Sequence, residues 1–204
     1  MQTITVNGQT VTPSKIVCVG RNYVAHIEEL DNEIPQELVV FNKPNSAISD
    51  ILRSQIDGEI LHYEGELAFL VMSNRLAAVG FGLDLTKREL QSRLKEKGLP
   101  WERAKAFDGA ALFSDFVALP RQVQDLRLVL TVDGETRQAG GVSLMLHKPA
   151  SILEEVGKFI TLEDGDIIMT GTPGGVGSIH TGEHFEAQVM ARGKVLASAS
   201  WVAQ

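Results

Sequence analysis

The sequence predicts an α+β domain that consists mostly of β-strands. Runs of β-branched and aromatic residues are short, and several are separated by Asn-Gly or Asp-Gly pairs, which favour tight hairpin turns. Only three stretches have helical character, and they do not alternate regularly with the strands. There is no internal repeat and no linker rich in Pro and Ser. These observations indicate one domain over residues 1–204 with much antiparallel sheet.

The predicted strands begin with an N-terminal hairpin, residues 1–14, that turns at Asn7-Gly8. Asp133-Gly134 indicates a second hairpin, and the alternating C-terminal residues indicate a third with Gly193 at its turn. The other predicted strands and hairpin arms lie at 16–19, 38–41, 62–69, 75–79, 125–133, 135–140, 167–170 and within 183–202.

The predicted helices lie at 24–30, 86–97 and 151–160. The second and third each begin with a capping-box pattern, Thr86 with Glu89 and Ser151 with Glu154. Asp84 is therefore expected in the turn just before a helix, where an aspartate can also serve as a simple local cap.

The composition is that of an ordinary globular protein, with 44% hydrophobic residues, 22% charged residues and a formal net charge of −7. The acidic balance argues against nucleic-acid and anionic-membrane surfaces, because both need clustered Lys and Arg. It does not exclude a small anionic substrate. No long apolar segment or leader follows Met1, so we expect a cytoplasmic protein. The single cysteine, Cys18, lies in an apolar run and is expected in the core.

Two glutamates in the predicted strand 62–69 are the first candidates for chemistry. Side chains alternate along a strand, so Glu64 and Glu66 share a face about 7 Å apart, with Gly65 between them. Buried together, two carboxylates need a shared cation or proton. Half of a metal site and a solvated strand face both fit this pattern.

A histidine and a carboxylate follow the first buried strand. His26 and Glu29 are three residues apart and would share a face of the helix 24–30, the arrangement of a general base that deprotonates water. A surface ion pair is the alternative. The polar, Pro-interrupted segment that follows predicts a lid over residues 24–37.

A lysine and a glycine-rich loop complete the candidates. Lys105 lies between two alanines beside Phe107, so it is either a partly buried cation that faces an anion or an ordinary solvated lysine. The loop 171–177 could bring backbone N–H groups to an anion, or it is a flexible turn. It has neither the Gly-Lys-Ser/Thr ending of a Walker A motif nor the helix pattern that follows a dinucleotide fingerprint.

From about residue 15 to residue 204 the sequence resembles the fumarylacetoacetate hydrolase family, in particular its short single-domain bacterial members. The motifs that carry the resemblance are Gly20-Arg21-Asn22-Tyr23 with His26, Phe41-Asn42-Lys43-Pro44, His62-Tyr63-Glu64-Gly65-Glu66-Leu67, Gly82-Leu83-Asp84-Leu85-Thr86-Lys87-Arg88, Gly98-Leu99-Pro100-Trp101 with Ala104-Lys105, and Thr170-Gly171-Thr172-Pro173-Gly174-Gly175-Val176-Gly177. Each is weak alone, but together and in this order they are specific.

The resemblance implies a fold and a set of site residues. The fold is a mixed β-sandwich or roll with a few short helices, and the expected assembly is a homodimer. Glu64, Glu66 and Asp84 would bind Mg²⁺ or Mn²⁺, and an all-oxygen ligand set suits such hard cations. His26, Glu29 and Lys105 would be catalytic. The implied substrate-binding residues are Arg21, Tyr23, Lys43, Arg88, Gln91 and Thr172.

The implied activity is metal-dependent hydrolysis of a C–C bond in a 3-acylpyruvate or a related 1,3-dicarbonyl acid, with a small anionic 2-oxo acid as the ligand class. The alternatives on the same site are decarboxylation of oxaloacetate, keto–enol tautomerisation of a 2-oxo acid, and a hydratase or isomerase reaction. An alternative of a different class is a relative that has lost the chemistry and serves as a metal- or metabolite-binding subunit. One departure from longer relatives is that only 17 residues separate Glu66 from Asp84. That spacing indicates the loss of a surface helix, and Asp84 is still expected to reach the metal.

Overall fold

The computed structural model describes residues 1–29 and 35–204. Its strands are β1 (Ile4–Val6), β2 (Gln9–Val11), β3 (Lys15–Gly20), β4 (Val39–Pro44), β5 (Gln55–Ile56), β6 (Glu59–Tyr63), β7 (Gly65–Met72), β8 (Arg75–Asp84), β9 (Thr86–Lys87), β10 (Ala111–Phe113), β11 (Val117–Ala118), β12 (Leu126–Val132), β13 (Glu135–Gly141), β14 (Ile167–Met169), β15 (Gly177–Ser178), β16 (His184–Ala191) and β17 (Lys194–Val202). The α-helices are α1 (Val24–Glu29), α2 (Arg88–Glu96), α3 (Glu102–Lys105) and α4 (Pro149–Val156). Single turns of 3₁₀ helix lie at Asn45–Ala47, Val123–Asp125 and Val142–Leu144.

The largest sheet has seven strands in the order β10-β8-β7-β14-β3-β4, with β11 also paired to β8. Its pairs are antiparallel except β14 with β3, which run parallel. Nearly every residue of β7 is buried, because both faces of this sheet are covered. The apolar run that contains Cys18 lies in β3, and Cys18 is fully buried, as expected.

A four-stranded antiparallel sheet, β13-β12-β16-β17, packs against one face of the large sheet. Its strands alternate between buried and exposed residues, so that Leu128 and Leu130 of β12 join Leu67 and Phe69 of β7 in one core. Helix α4 covers part of the opposite face with Ile152 and its neighbours. The expected architecture, mostly β with a few short helices, is confirmed.

A third sheet, β15-β6-β5 with β9 on β6, lies beside these layers. The predicted hairpin turns form, and Asn7, Gly8, Asp133 and Gly134 all have positive φ angles of 48–80° that match a tight turn. No helix among residues 1–29 and 35–204 is long and apolar enough to cross a membrane.

The expected single strand over 62–69 is wrong in one respect, because it divides at Glu64. Residues up to Tyr63 belong to β6 in the small sheet, whereas Gly65 opens β7 in the large sheet. A side chain at Gly65 would put its Cβ 2.7 Å from Phe81 Cζ, so glycine permits the close approach of β8 at this transfer point.

The expected turn at Asp84 is also wrong, because β8 continues from Arg75 to Asp84. Gly80 and Gly82, which lie past the predicted end of this strand at residue 79, are inside β8. A Cβ on Gly80 would lie 3.1 Å from Phe116 Cγ, and one on Gly82 would lie 2.8 Å from Met169 Cε. These glycines make room for neighbouring side chains, and Asp84 is held as the last residue of a strand.

Neither predicted capping box forms. Helix α2 begins at Arg88, since Thr86 pairs with His62 of β6. Helix α4 begins at Pro149, whose fixed φ suits the first turn, so Ser151 lies inside the helix. Strand β4 also extends past its predicted end at residue 41 to Pro44, and α3 lies outside the three predicted helices.

Candidate active site

Antiparallel pairing of β7 with β8 brings the three predicted metal ligands together. Glu66 pairs with Gly82, and the backbone N–H of Asp84 donates a 2.8 Å hydrogen bond to the carbonyl of Glu64. One carboxylate oxygen from each of Glu64, Glu66 and Asp84 lies within 4.8 Å of the others. All three residues are buried, with at most 6% of their surface exposed. The solvated-strand interpretation of the glutamates is therefore wrong.

Three cationic side chains compensate this buried negative charge. The Lys105 ammonium donates to Glu64 Oε2 at 2.8 Å, to Asp84 Oδ2 at 2.7 Å and to Thr86 Oγ1 at 2.6 Å. The Arg88 guanidinium pairs with Glu64 Oε1. The third cation is Lys43, whose Nζ lies 2.7 Å from Asp84 Oδ1. Lys105 is thus a buried cation, because its three N–H donors are directed at anionic or polar oxygens.

The pKa values of Glu64 and Glu66 are shifted in opposite directions. Burial raises the pKa of Glu66 well above its ordinary value, and the neighbouring Asp84 and Glu64 carboxylates raise it further. Burial also raises the pKa of Glu64, but Lys105 and Arg88 outweigh that effect and hold the pKa below its ordinary value. Glu66 therefore has the weaker compensation by cations.

The donor set fits a hard divalent cation. Asp84 Oδ1 is buried and has no hydrogen-bond partner among the described residues, although Lys43 Nζ lies near it. Buried carboxylate oxygens from three side chains, all within 4.8 Å of one another, form the environment that Mg²⁺ and Mn²⁺ prefer. A cation held by Glu64 and Asp84 would compete with the Lys105 ammonium for the same oxygens.

A pocket opens beside the carboxylates. Its lining side chains and backbone come from Val19, Gly20, Arg21, His26, Ile27, Phe41, Glu64, Glu66, Arg88, Gln91, Lys95, Trp101, Lys105 and Thr172. Arg88 donates to Gln91 Oε1 at 2.8 Å, which fixes one side of the pocket. Phe41 and Trp101 form an aromatic wall, with ring centroids 6.0 Å apart.

His26 and Glu29 form the predicted pair on α1, with 3.4 Å between His26 Nδ1 and Glu29 Oε2. Burial lowers the pKa of His26, and the nearby Glu64 and Glu29 only partly offset this effect. The imidazole is therefore neutral at pH 7. Of the predicted lid over residues 24–37, residues 30–34 lie outside the described part of the chain.

The glycine-rich loop does bring backbone N–H groups to anions, but these anions belong to the protein. Gly171 N donates to Glu66 Oε2 at 2.7 Å, and Gly175 N donates to Glu29 Oε1 at 3.0 Å. The loop therefore holds one carboxylate of the triad and one member of the His–Glu pair.

The predicted substrate-binding residues divide into two groups. Four of them line the pocket: Arg21, Arg88, Gln91 and Thr172. Tyr23 is instead 2% exposed in the core, and burial together with Glu66 raises the pKa of its phenol. Lys43 is fully buried behind Asp84. The Thr172 hydroxyl is already engaged, because it donates to Gly65 O at 2.9 Å.

Two residues near the site are not among the site residues predicted from the sequence. Lys95 lines the pocket and lies two turns along α2 from Arg88. Gln138 is buried on β13, where it accepts from Gly65 N at 2.8 Å and donates to Thr172 Oγ1 at 2.8 Å and Pro173 O at 2.9 Å. The signal for Gln138 was an amide at an inward-facing strand position, which needs buried partners.

Comparison with known proteins agrees with this geometry. Residues 15–198 match the family model for the C-terminal domain of fumarylacetoacetate (FAA) hydrolase. The chain is 39% identical over 187 residues to oxaloacetate tautomerase YcgM of Escherichia coli (strain K12), a match that covers 83% of this chain and 85% of the relative.

Solved structures have the same fold. A crystal structure from Oleispira antarctica, of a candidate fumarylacetoacetate isomerase/hydrolase, superposes with a TM-score of 0.93 at 36% identity and covers 100% of both chains. The fumarylpyruvate hydrolase of Pseudomonas aeruginosa, in complex with Mn²⁺ and pyruvate, has a TM-score of 0.87 at 29% identity, covering 99% of this chain and 95% of that one. The chain belongs to the fumarylacetoacetate hydrolase family of enzymes.

Proposed function

We propose that this enzyme interconverts the keto and enol forms of oxaloacetate. The observation that carries the proposal is the buried Glu64, Glu66 and Asp84 cluster beside a pocket lined by cations and a neutral histidine. Such a site suits an anionic 2-oxo acid whose enol form must be stabilised. The relative from Escherichia coli that is named oxaloacetate tautomerase supports this substrate.

Glu64, Glu66 and Asp84 would hold Mg²⁺ or Mn²⁺, which when bound acts as a Lewis acid that polarises the 2-oxo group. The homologous fumarylpyruvate hydrolase, solved with Mn²⁺ and pyruvate, supports a metal at such a site. Arg88 and Gln91 line the pocket next to the carboxylates and would orient the C1 carboxylate of the substrate.

Tautomerisation breaks a C–H bond at C3 and forms an O–H bond at the C2 oxygen. His26 has its Nδ1 engaged with Glu29, so Nε2 is the ring nitrogen that would take the C3 proton. Lys105, a buried cation, would stabilise the negative charge that develops on the C2 oxygen. This oxygen would then take the proton from the His26 imidazolium, which returns the imidazole to its neutral form. Glu29, held by Gly175 N, would keep the imidazole in its productive tautomer.

The test measures the rate at which the enol form of oxaloacetate converts to the keto form in the presence of Mg²⁺. We expect Glu66→Gln to lower kcat/KM by about 100-fold or more, because the substitution removes one of the three carboxylates from the cluster. An exposed carboxylate, Glu96, gives the matched control Glu96→Gln, which should retain full activity. An unchanged rate in Glu66→Gln would refute the proposal.

Hydrolysis of an acylpyruvate is the second candidate, because the His26–Glu29 pair is also typical of a base that activates water. The similarity to fumarylpyruvate hydrolase supports it. NMR analysis of products from oxaloacetate and from an acylpyruvate separates the activities. Pyruvate plus a carboxylic acid from the acylpyruvate indicates hydrolysis, pyruvate plus CO₂ from oxaloacetate indicates decarboxylation, and enol exchange alone indicates tautomerisation.

We also propose that the enzyme is cytoplasmic and that it works as a homodimer, the assembly that the family resemblance implies. Sedimentation equilibrium tests this assembly, and a monomeric mass at micromolar concentration would contradict it.

A further inference from the structure

Two cations of the pocket, Arg21 and Lys95, have no part in the chemistry described above. Helix α2 carries Arg88, Gln91 and Lys95 on one face, and all three line the pocket. Arg88 contacts Glu64 and Gln91 at the carboxylate end, where it would orient the C1 carboxylate of the substrate. Lys95 lies seven residues further along the helix, about 10 Å in axial rise. It is thus placed for the end of a ligand that points away from the carboxylates.

Helix geometry tilts the side chain of Lys95 toward the Arg88 end of α2. In a helix the Cα–Cβ bond tilts toward the N-terminus, which for α2 is the end at Arg88. Lys95 Nζ lies 5.7 Å from the ring centroid of Trp101, on the aromatic wall of the pocket. The residue is half-buried, so its ammonium is partly removed from water.

The charges around Lys95 favour an anion. Four cationic side chains line the pocket, against the two glutamates: Arg21, Arg88, Lys95 and Lys105. Burial lowers the pKa of Lys95, and the positive charges of Arg21 and Arg88 lower it further. Arg21 also has a φ of 56°, a left-handed conformation that is uncommon for a residue with a side chain and is enriched at functional sites.

We propose that Lys95, together with Arg21, binds the distal carboxylate of a four-carbon 2-oxo dicarboxylate and makes the pocket selective for dianions. This inference rests on the proposed function, because oxaloacetate is the dianion concerned. A 2-oxo acid with an uncharged distal end would leave these cations without the second carboxylate.

The kinetic test compares oxaloacetate with its 4-methyl ester, which keeps the enolisable ketone and lacks the distal charge. Lys95→Met retains the aliphatic stem on Trp101. We expect Lys95→Met to raise KM for oxaloacetate by about tenfold or more, because one charge-assisted contact is lost. KM for the ester should change by less than about twofold. Lys95→Arg should restore selectivity. Lys97→Met, an exposed lysine at the end of α2, is the matched control and should behave as wild type.

A binding test separates this inference from the tautomerase activity. The unreactive ligands (S)-malate and (S)-lactate differ by one distal carboxylate, and both are titrated with Mg²⁺ present. The fluorescence of Trp101, isolated by Trp201→Phe, reports binding. We expect malate to bind about tenfold or more tightly than lactate, and Lys95→Met to abolish that difference.

The outcomes are distinguishable. If the wild type fails to tautomerise oxaloacetate but still prefers malate through Lys95, the proposed function fails and the dianion site stands. The assignment of Lys95 is overturned if Lys95→Met raises KM equally for oxaloacetate and its ester and weakens the binding of malate and lactate equally. It is also overturned if the substitution changes none of these values.

Discussion

At the scale of single residues, Asp166 illustrates how one buried carboxylate joins distant segments. Its side chain is fully buried at the start of β14. It accepts hydrogen bonds from Ser14 N at 2.9 Å, Ser14 Oγ at 2.7 Å and Glu163 N at 2.9 Å, and it pairs with the Lys15 ammonium. These contacts fix the parallel register between β3 and β14.

Asp166→Asn should lower the free energy of unfolding by about 2 to 3 kcal/mol at pH 7, because an amide cannot accept all of these hydrogen bonds. Burial raises the pKa of Asp166, but the contacts with Lys15 and Ser14 outweigh it and hold the pKa below its ordinary value of 3.8. The stabilisation is therefore complete above pH 3.8 and is lost as the pH falls through the lower pKa of the folded state.

Urea unfolding at several pH values checks this expectation. The difference between wild type and Asp166→Asn should shrink as the pH falls below 3.8. Asp115→Asn, at an exposed position, provides the control. A difference that stayed constant down to pH 2 would contradict the assigned cause.

At the scale of elements, the site is assembled where β7 meets β13 and the loop 171–177. Gln138 of β13 links the three, since its amide bonds Gly65, Thr172 and Pro173. Gly65 lies between the two glutamates of the carboxylate cluster, and Gly171 holds Glu66. The side chain of Gln138 thus positions backbone that carries the cluster without touching the pocket itself.

Gln138→Leu keeps the volume and removes these hydrogen bonds. We expect kcat/KM to fall by about 10- to 100-fold, with weaker Mg²⁺ binding, because the backbone that orients the glutamates is loosened. Calorimetry of Mg²⁺ binding and the enol assay measure the two effects. Gln188→Leu, at an exposed position of β16, is the control. A loss of stability with normal activity and Mg²⁺ binding would show that Gln138 is purely structural.

At the scale of the whole molecule, the site is supported by packing between two sheets. The core between them includes Phe185 of β16, which is fully buried. Its ring packs edge-on against the Tyr63 ring, with 5.3 Å between the ring centroids. Tyr63 immediately precedes Glu64, so packing between the sheets reaches the point where β6 passes into β7.

Phe185→Ala should lower the free energy of unfolding by about 3 to 5 kcal/mol, because it leaves a cavity between the sheets. Urea denaturation measures the change, and Val195→Ala, a 49% exposed position on β17, should have little effect. A destabilisation below about 1 kcal/mol would mean that the core collapses around the smaller side chain.

Most of the architecture follows from local sequence patterns. Turn pairs such as Asn7-Gly8 and Asp133-Gly134 predicted hairpins correctly, because positive φ angles at consecutive residues are a local property. The alternation over residues 183–202 predicted a C-terminal hairpin, which β16 and β17 form. Glu64, Glu66, Asp84 and Lys105 could be chosen from their motifs, and the structure brings them together.

Tertiary structure alone decided how these residues are held. Thr86 and Ser151 have the local pattern of helix caps, yet β-pairing moves one out of the helix and Pro149 starts the other helix earlier. The predicted strand 75–79 ended before Gly80 and Gly82, but β8 continues through both glycines. Side chains from distant parts of the chain occupy the space that a Cβ at either position would need. The partners of Gln138 and Asp166 are likewise distant in sequence. Local periodicity contains no information about such contacts, because they depend on which strands become neighbours when the sheets pack.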